Sequence, residues 1–472
     1  MYNDVCGHHH LKFPPGFKFG AVTSAYQIEG GWNAGDKAPS IWDVYTHKYP
    51  FRIANFSNAD IACDSFHLWR EDVRIAANLG LHYYRISISW TRLLPKGFSN
   101  YVSRTGTKYY NRIIDGLLEK GIEPVITLYH SDLPQNLQDL GGWANPLVAD
   151  WFANYARIAF SIFGDRVKKW ITINEPIVIC ELEYTTPINA PSISSPGLGN
   201  YLCTKNILLA HAKAWRVYDE EFRSLYDGKI SITNQMYWLQ AETEEFEELA
   251  ELARQLYVGL YLHPIFSSKG GWPSSVENWI AEKSEREGYR DSRLPAFTDE
   301  EKELVKGTYD FVGINYYTSR EVRPPNDGEK IGDYPFYGAP EIGAVFQVYP
   351  HGIRKLLMWL RRTYGDLEYM ILENGFAVHD ESLDDRPRVK YLKDHLEQIL
   401  LAIKDGGNVT HFSIWSLMDN FEWTDGYSVK FGLYKVDFTD PRRKRTPRLS
   451  AIYYANVIAH HSTDGALSNI LD

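Results

Sequence analysis

Eight short β-rich runs, separated by helical patterns, are the feature of this sequence that most restricts its fold. Three helical patterns with apolar residues three or four positions apart end at Gly121, Gly164 and Gly406, and a β-rich run follows each of them. A helix between consecutive strands predicts parallel pairing, because the chain must cross back before the next strand begins. The eight runs are Phe17–Val22, Tyr83–Ser89, Pro124–Tyr129, Trp170–Ile173, Lys229–Thr233, Phe311–Ile314, Tyr369–Leu372 and Thr410–Trp415.

This alternation predicts an α/β fold, a single (β/α)8 TIM barrel with elaborated βα loops. Length alone favours about three domains, but such barrels accept insertions beyond about 400 residues. We therefore expect residues 1–472 to form one domain. The alternative is a doubly wound open sheet, and the absence of a G-x-G-x-x-G turn after the first run argues against it.

Composition excludes several kinds of partner. The chain carries 50 Lys and Arg and 60 Asp and Glu, so its formal charge is 50 − 60 = −10. Nucleic acid is not an expected partner, because phosphate binding depends on clustered Lys and Arg. The sequence has no run of about 18 apolar residues, so no transmembrane helix is predicted. The oligomeric state stays open, with a homodimer as one option.

Cysteines and sequons bear on the cellular compartment. Four cysteines are too few for a disulfide scaffold and lack the CxxC spacing of zinc sites. No metal or organic cofactor is predicted, because His130 has no set of further ligands around it in the sequence. The start of the chain lacks a signal-peptide layout, whereas sequons at Asn55 and Asn408 favour glycosylation on a secretory route. We expect a secreted protein whose signal has been removed, with a cytoplasmic protein as the alternative.

Polar residues end several of the predicted strands, where (β/α)8 barrels carry their catalytic groups. Glu175 follows the fourth run and Glu373 follows the seventh. Barrel closure would bring both to one rim. Two carboxyl groups at one site suit acetal cleavage, because one protonates the leaving oxygen and the other stabilises or attacks the oxocarbenium-like carbon. The alternative is that each Glu only caps the helix that follows it.

An ordered set of motifs resembles the glycoside hydrolase family 1 β-glycosidases along nearly the whole chain. The motifs are GAVTSAYQIEGGW, YYRISISWTRLLPKG, YHSDLPQ, GDRVKKWITINEP, LLAHAKAWRVY, FVGINYYTSR, ILENG and WSLMDNFEWTDGYSVKFGLYKVDF. The resemblance implies a retaining β-glucosidase for unphosphorylated substrates, with water as the second reactant and with β-fucosides or β-galactosides as side substrates. It implies Glu175 as general acid/base and Glu373 as nucleophile, with a covalent glycosyl-enzyme between the two steps.

The same resemblance assigns the residues around the two carboxyl groups. Those that support the nucleophile and the transition state are Arg85, Asn174, Asn315 and Tyr317. Those that bind the sugar are Gln27, His130, Asn174, Trp415, Glu422, Trp423 and Phe431. Amide, imidazole and carboxyl groups suit neutral hydroxyls, because each donates or accepts in a fixed direction. Family members that act on 6-phosphorylated sugars usually carry a small residue in place of Glu422, whose negative charge would repel phosphate.

Three positions are candidates for the leaving-group side of the site. Ser131 stands where most members have Trp, which removes a sugar contact and part of one wall. Val345 stands where an aromatic platform is usual, so stacking on flat leaving groups should be weaker. Arg320 is either a contact for the sulfate of a glucosinolate or a solvated surface charge.

Two other functions are compatible with the fold. A thioglucosidase that hydrolyses glucosinolates needs no acid, because its leaving group departs without protonation. Plant thioglucosidases usually have Gln at the position of Glu175, whereas animal ones keep Glu. A non-catalytic carbohydrate-binding protein would be expected to lose one carboxyl group, and both are present here.

Overall fold

Eight parallel strands form a closed barrel in the computed structural model, which describes residues 12–325, 343–347 and 349–464. Each strand pairs with the next along the chain, and the eighth closes on the first, with Lys18 opposite His411 and Val22 opposite Trp415. The predicted barrel is confirmed, and the open sheet is wrong. The strands, numbered 1 to 8 below, are Lys18–Val22, Tyr83–Ser87, Glu123–Tyr129, Lys169–Asn174, Lys229–Gln235, Val312–Asn315, Tyr369–Glu373 and Val409–Trp415.

Helices pack around the barrel. The three predicted from periodicity are Arg104–Glu119, Val148–Phe163 and Arg386–Lys404. The first begins where the Ser103 hydroxyl accepts a hydrogen bond from the Gly106 N–H, as N-cap residues do. The other helices of seven or more residues are Ile41–Lys48, Ser65–Asn78, Gly199–Val217, Glu247–Arg254, Leu260–Phe266, Ser274–Arg286, Asp299–Val305, His351–Tyr364 and Leu449–His460.

The loops after strands 5, 6 and 8 contain small sheets of their own. Trp238–Ala241 pairs in parallel with Ser319–Arg323, which pairs antiparallel with Gly343–Gln347. After strand 8, Tyr434–Val436 pairs antiparallel with Arg445–Pro447. These additions lie on the βα side, so they build up the rim that carries the strand ends.

A disulfide joins the loop after strand 4 to the helix Gly199–Val217. It links Cys180 to Cys203, whereas Cys63 is a buried free thiol. The sequence left this pairing open, because the spacing of cysteines does not determine connectivity. The bridge fixes the segment that follows Glu175.

The barrel interior is filled, because alternate side chains of each strand point inward. A cluster inside the barrel consists of Tyr83, Val125, Ile171, Phe311, Met370 and Leu372. The rim is therefore the part of the barrel that is open to a ligand. Among the described residues, no helix has the length and apolar content that crossing a bilayer requires.

A buried ion pair fixes the loop after strand 8. Both Nη atoms of Arg448 donate to the carboxylate of Asp419, at 2.9 and 2.8 Å, and both side chains are 0% exposed. Asp419 also accepts from the backbone N–H groups of Gly432 and Val436. The pair therefore anchors the segment that carries Glu422.

Asp419→Ala is expected to destabilise the protein by about 3–5 kcal/mol, because Arg448 would keep a buried charge without its partner. Chemical unfolding of the two proteins measures this. The matched control is Glu221→Ala, whose partner Arg157 is 40% exposed, and it should cost at most about 1 kcal/mol. Equal losses from the two substitutions would contradict the assignment of Asp419 as an anchor.

Candidate active site

Glu373, the last residue of strand 7, is held by charge and by hydrogen bonds. Arg85 Nη1 donates to Oε1 at 2.8 Å, and the Tyr317 hydroxyl donates to Oε2 at 2.6 Å. Arg85 extends from the middle of strand 2, where Nη2 also donates to Asn174 Oδ1 at 2.6 Å. Burial raises the pKa of Glu373, and the Arg85 charge with hydrogen bonds from Tyr317 and Asn315 offsets part of that rise. These partners therefore favour the ionised form of Glu373 and oppose the effect of burial.

Glu175 follows strand 4 and has fewer groups that stabilise a charge. Its backbone is in the left-handed region, with φ 50° and ψ 64°, a conformation that costs about 1–3 kcal/mol in a residue other than glycine. Its Oε1 accepts a hydrogen bond from Asn315 Nδ2 at 2.7 Å. Burial, and next the negative charge of Glu373, raise the pKa of Glu175 to about 8. Glu175 therefore holds a proton at neutral pH.

Asn315 connects the two carboxyl groups. Its Nδ2 contacts Glu175, and the Asn315 amide also forms a hydrogen bond that lowers the pKa of Glu373. Asn315 lies opposite Glu373 in the pairing of strands 6 and 7, so the Glu175 carboxyl group that its side chain contacts stands beside that of Glu373. Carboxyl groups on either side of one amide in this way suit the short spacing of retaining glycosidases, about 5–5.5 Å, better than the wide spacing of inverting ones.

A cavity of about 560 Å³ lies beside the two carboxyl groups. The side chains predicted for catalysis and sugar binding that line it are His130, Glu175, Tyr317, Glu373, Trp415, Glu422, Trp423 and Phe431. Asn174 lines an adjoining cavity. Arg85, Asn315 and Gln27 lie behind the walls of the main cavity and are fully buried. Gln27 Nε2 donates to Asn420 Oδ1 and to the Phe421 carbonyl, each at 2.9 Å.

Rings surround the position that the resemblance gives to the sugar. The His130 ring stacks against Trp415 and Trp423, with centroid distances of 5.8 and 6.1 Å. Burial, followed by the Arg85 charge, lowers the pKa of His130 well below its usual value. A neutral imidazole with apolar faces around it suits a ligand that combines ring faces with hydroxyls.

Glu422 completes this wall as an acid. Its Oε1 accepts a hydrogen bond from Trp415 Nε1 at 3.2 Å, and burial raises its pKa to about 8. The carboxyl group is therefore largely protonated at neutral pH. A neutral acid does not repel a phosphate, contrary to what the residue type suggests. It disfavours a phosphate because it supplies no positive charge.

The three candidates for the leaving-group side differ in position. Ser131 lines the adjoining cavity rather than the main one. Arg320 is 5% exposed and lies over the ring of Tyr237 at 4.6 Å, so the alternative of a solvated surface charge is wrong. Tyr237 separates Arg320 from the main cavity, which it lines. Val345 belongs to a strand whose side chains lie outside the described part of the structure.

Several residues of the cavity wall were missed by the sequence analysis. They are Ile177, Val178, Leu182, Gln235, Tyr237, Thr318, Gly375, Phe376, Ala377 and Tyr391. Gln235 ends strand 5, so the strand-end rule that found Glu373 could have found it. The others lie in loops or on a helix, where the strand pattern gives no signal. Within the described ranges, no group of three or more His, Cys, Asp or Glu could hold a metal ion.

Comparisons with known proteins agree on one family. The model described as "Glycosyl hydrolase family 1" matches residues 9–463. Myrosinase 1 of Brevicoryne brassicae is 44% identical over 95% of this chain and 98% of its own length. Cytosolic beta-glucosidase of Homo sapiens is 41% identical over 97% of this chain and 100% of its own length. The structure of a rice beta-glucosidase mutant in a covalent complex with Glc is 33% identical, with a TM-score of 0.86, covering 94% of this chain and 98% of that chain.

The raised pKa of Glu175 predicts the basic limb of the pH profile. For an aryl β-glucoside, kcat/KM should fall as pH rises through about 8, because Glu175 then loses the proton that the leaving oxygen requires. The acidic limb should follow protonation of Glu373. Initial rates across the pH range measure both limbs, whose apparent pKa values belong to the pair. A basic limb that persists unchanged in Glu175→Ala would contradict the assignment.

Proposed function

The chain belongs to glycosyl hydrolase family 1 and is a retaining glycosidase, and from this premise we propose that it hydrolyses unphosphorylated β-glucosides with Glu175 as acid/base and Glu373 as nucleophile. One observation carries the assignment of roles. Asn315 lies beside both carboxyl groups, of which Glu175 is half-buried and Glu373 is buried. Of the two, only Glu373 accepts hydrogen bonds from Arg85 and Tyr317. The better stabilised carboxylate attacks, and the other holds the proton.

In the first step, Glu373 forms a bond to the anomeric carbon while the bond from that carbon to the leaving oxygen breaks. Glu175 gives its proton to the leaving oxygen, so the leaving group departs as a neutral alcohol. Arg85 and Tyr317 hold both oxygens of the nucleophile, which restricts its rotation. The family resemblance gives Asn174 a bond to the hydroxyl beside the reacting carbon, where hydrogen bonds strengthen in the transition state.

In the second step, the change of charge at Glu373 sets the role of Glu175. The ester has no negative charge, so the second-largest contribution that raises the pKa of Glu175 disappears. Glu175 then takes a proton from water, and the water oxygen attacks the anomeric carbon and releases Glu373. Two displacements at one carbon return the original β configuration.

A thioglucosidase is the second candidate function. Its support is the relative from Brevicoryne brassicae that is named a myrosinase, together with the buried Arg320 behind Tyr237. A thiolate leaving group needs no proton, so the two functions differ in how much they depend on Glu175.

The cellular compartment has evidence on both sides. The Cys180–Cys203 disulfide and the exposed sequon residues Asn55 and Asn408 favour a secretory route, because disulfides persist in oxidising compartments. The human relative, which is named a cytosolic enzyme, favours the cytoplasmic alternative.

Variants of the two carboxyl groups should fail differently. Glu175→Ala should lower kcat/KM for an alkyl β-glucoside by about 10²–10⁴-fold, the usual contribution of a general acid. Azide should restore turnover of p-nitrophenyl β-glucoside by this variant, because a small nucleophile needs no base. Glu373→Ala should lose more on p-nitrophenyl β-glucoside, because the covalent route itself is removed.

A glucosinolate serves as the discriminating substrate. If the protein is an O-glucosidase, the intact enzyme should hydrolyse p-nitrophenyl β-glucoside far faster than the glucosinolate. A glucosinolate turnover that exceeds the O-glucoside turnover, with a first step that Glu175→Ala leaves unchanged, would instead establish the second candidate. Absence of turnover of every glucoside by folded protein would contradict both.

A further inference from the structure

A second cavity of about 300 Å³ opens from the predicted sugar position. It shares His130, Glu175, Glu422 and Trp423 with the main cavity. We call it the side lobe. The residues that line the side lobe and not the main cavity are Trp42, Ser131, Asn174, Glu183, Asn189, Thr424, Asp425 and Val429. Six of these eight residues carry an amide, a hydroxyl or a carboxyl group, so this part of the lobe is polar.

Ser131 forms part of the inner end of the side lobe. It follows strand 3, where its backbone has a φ of 60°, and it is 7% exposed. A side chain of one hydroxymethyl group leaves this space open, whereas a large aromatic group at the same position would occupy it. The presence of the lobe therefore depends on the small size of Ser131.

Glu183 supplies one carboxyl oxygen that has no partner in the part of the chain that the structure describes. Its side chain is buried at 3% exposure, and its Oε2 has no hydrogen-bond partner among the described residues. Burial raises the pKa of Glu183 well above its usual value, and the Ser131 hydroxyl offsets a part of that rise. A buried polar atom without a partner costs about 1–3 kcal/mol. Glu183 lines the side lobe, so a rotation of its side chain would expose this inaccessible oxygen to a hydroxyl group of a ligand there.

The position of the side lobe indicates that it holds a group attached to the sugar rather than a part of the leaving group. The main cavity continues past Tyr237, Thr318 and Phe376, which do not line the side lobe. The leaving group therefore has a path of its own. The side lobe reaches Glu175 but not Glu373. Five residues that the resemblance assigns to the sugar line it, so it opens beside the sugar ring; they are His130, Asn174, Glu422, Trp423 and Phe431.

We propose that the side lobe receives a second sugar unit attached to a hydroxyl of the glycone, so that the enzyme also hydrolyses aryl β-diglucosides and releases the disaccharide whole. The proposal rests on the proposed function, because the same two carboxyl groups perform the reaction. The bond that breaks joins the anomeric carbon of the inner glucose to the aryl oxygen. Water supplies the oxygen and the proton that complete the two products.

The experiment uses p-nitrophenyl β-glucoside and its 1→3, 1→4 and 1→6 β-linked diglucosides. Early products are separated by chromatography, which distinguishes intact disaccharide from glucose that is removed first from the outer end. At least one diglucoside should give intact disaccharide together with p-nitrophenol. Glucose as the sole early sugar product from all three diglucosides would overturn the proposal.

Substitutions at the wall of the side lobe test whether the second sugar unit binds there. Ser131→Trp should lower the ratio of kcat/KM for that diglucoside to kcat/KM for p-nitrophenyl β-glucoside by about 100-fold, because an indole fills the space. Ser131→Ala is the matched control and should keep the ratio within about threefold, because it keeps the volume. Asn189→Trp, which narrows the lobe from another wall, provides the same test if Ser131→Trp does not fold.

Other outcomes separate the two proposals. A ratio that is unchanged in both Trp variants would place the second sugar outside the side lobe and overturn this inference while leaving the β-glucosidase function intact. Failure of the intact protein to hydrolyse p-nitrophenyl β-glucoside would overturn the proposed function itself, and this inference with it.

Discussion

The ion pair between Arg85 and Glu373 is the interaction on which the chemistry of this protein depends. The carboxyl group of Glu373 is buried at the rim of the barrel, and burial alone would favour its neutral form. The guanidinium at 2.8 Å opposes that effect at Glu373, whereas Glu175 has no such direct partner and its pKa rises to about 8. Two identical side chains thereby differ in how readily they give up a proton. The difference comes from their neighbours, and it is the basis of the roles that we propose for them.

Closure of the barrel is what makes this arrangement available. Arg85 extends from strand 2, Glu175 follows strand 4 and Glu373 ends strand 7, so local sequence does not bring them together. Asn315 lies opposite Glu373 in the pairing of strands 6 and 7, which places one amide between the carboxyl groups. The filled interior below them leaves the strand ends as the surface on which a substrate is held.

The sequence predicted those parts of the protein that depend on periodicity. The three helix ends at glycine, the eight strands and the parallel closure are confirmed. The strand-end rule also placed Glu175 and Glu373 at one rim, because the ends of parallel strands point in the same direction. The grouping of the sugar-binding residues came from the family resemblance rather than from the pattern.

The remaining features depend on how the loops pack, which the sequence pattern does not encode. Tyr237 and the polar lining of the side lobe come from separate loops that meet only in the folded chain. The protonated state of Glu422 follows from burial, so its charge could not be inferred from residue type. The burial of Arg320 under Tyr237 could not be inferred from residue type either, because the exposure of an arginine depends on its surroundings.

The most direct test of Glu373 as the nucleophile is to identify the residue to which the sugar becomes covalently attached. A 2-deoxy-2-fluoro β-glucoside with a good leaving group destabilises the positive charge in both steps, and the reactive leaving group keeps the first step fast enough for the intermediate to accumulate. Proteolysis and mass spectrometry of the inactivated protein should find one sugar per chain, attached to Glu373. A sugar attached to any other residue, or turnover without a covalent intermediate and with inverted product, would contradict the account.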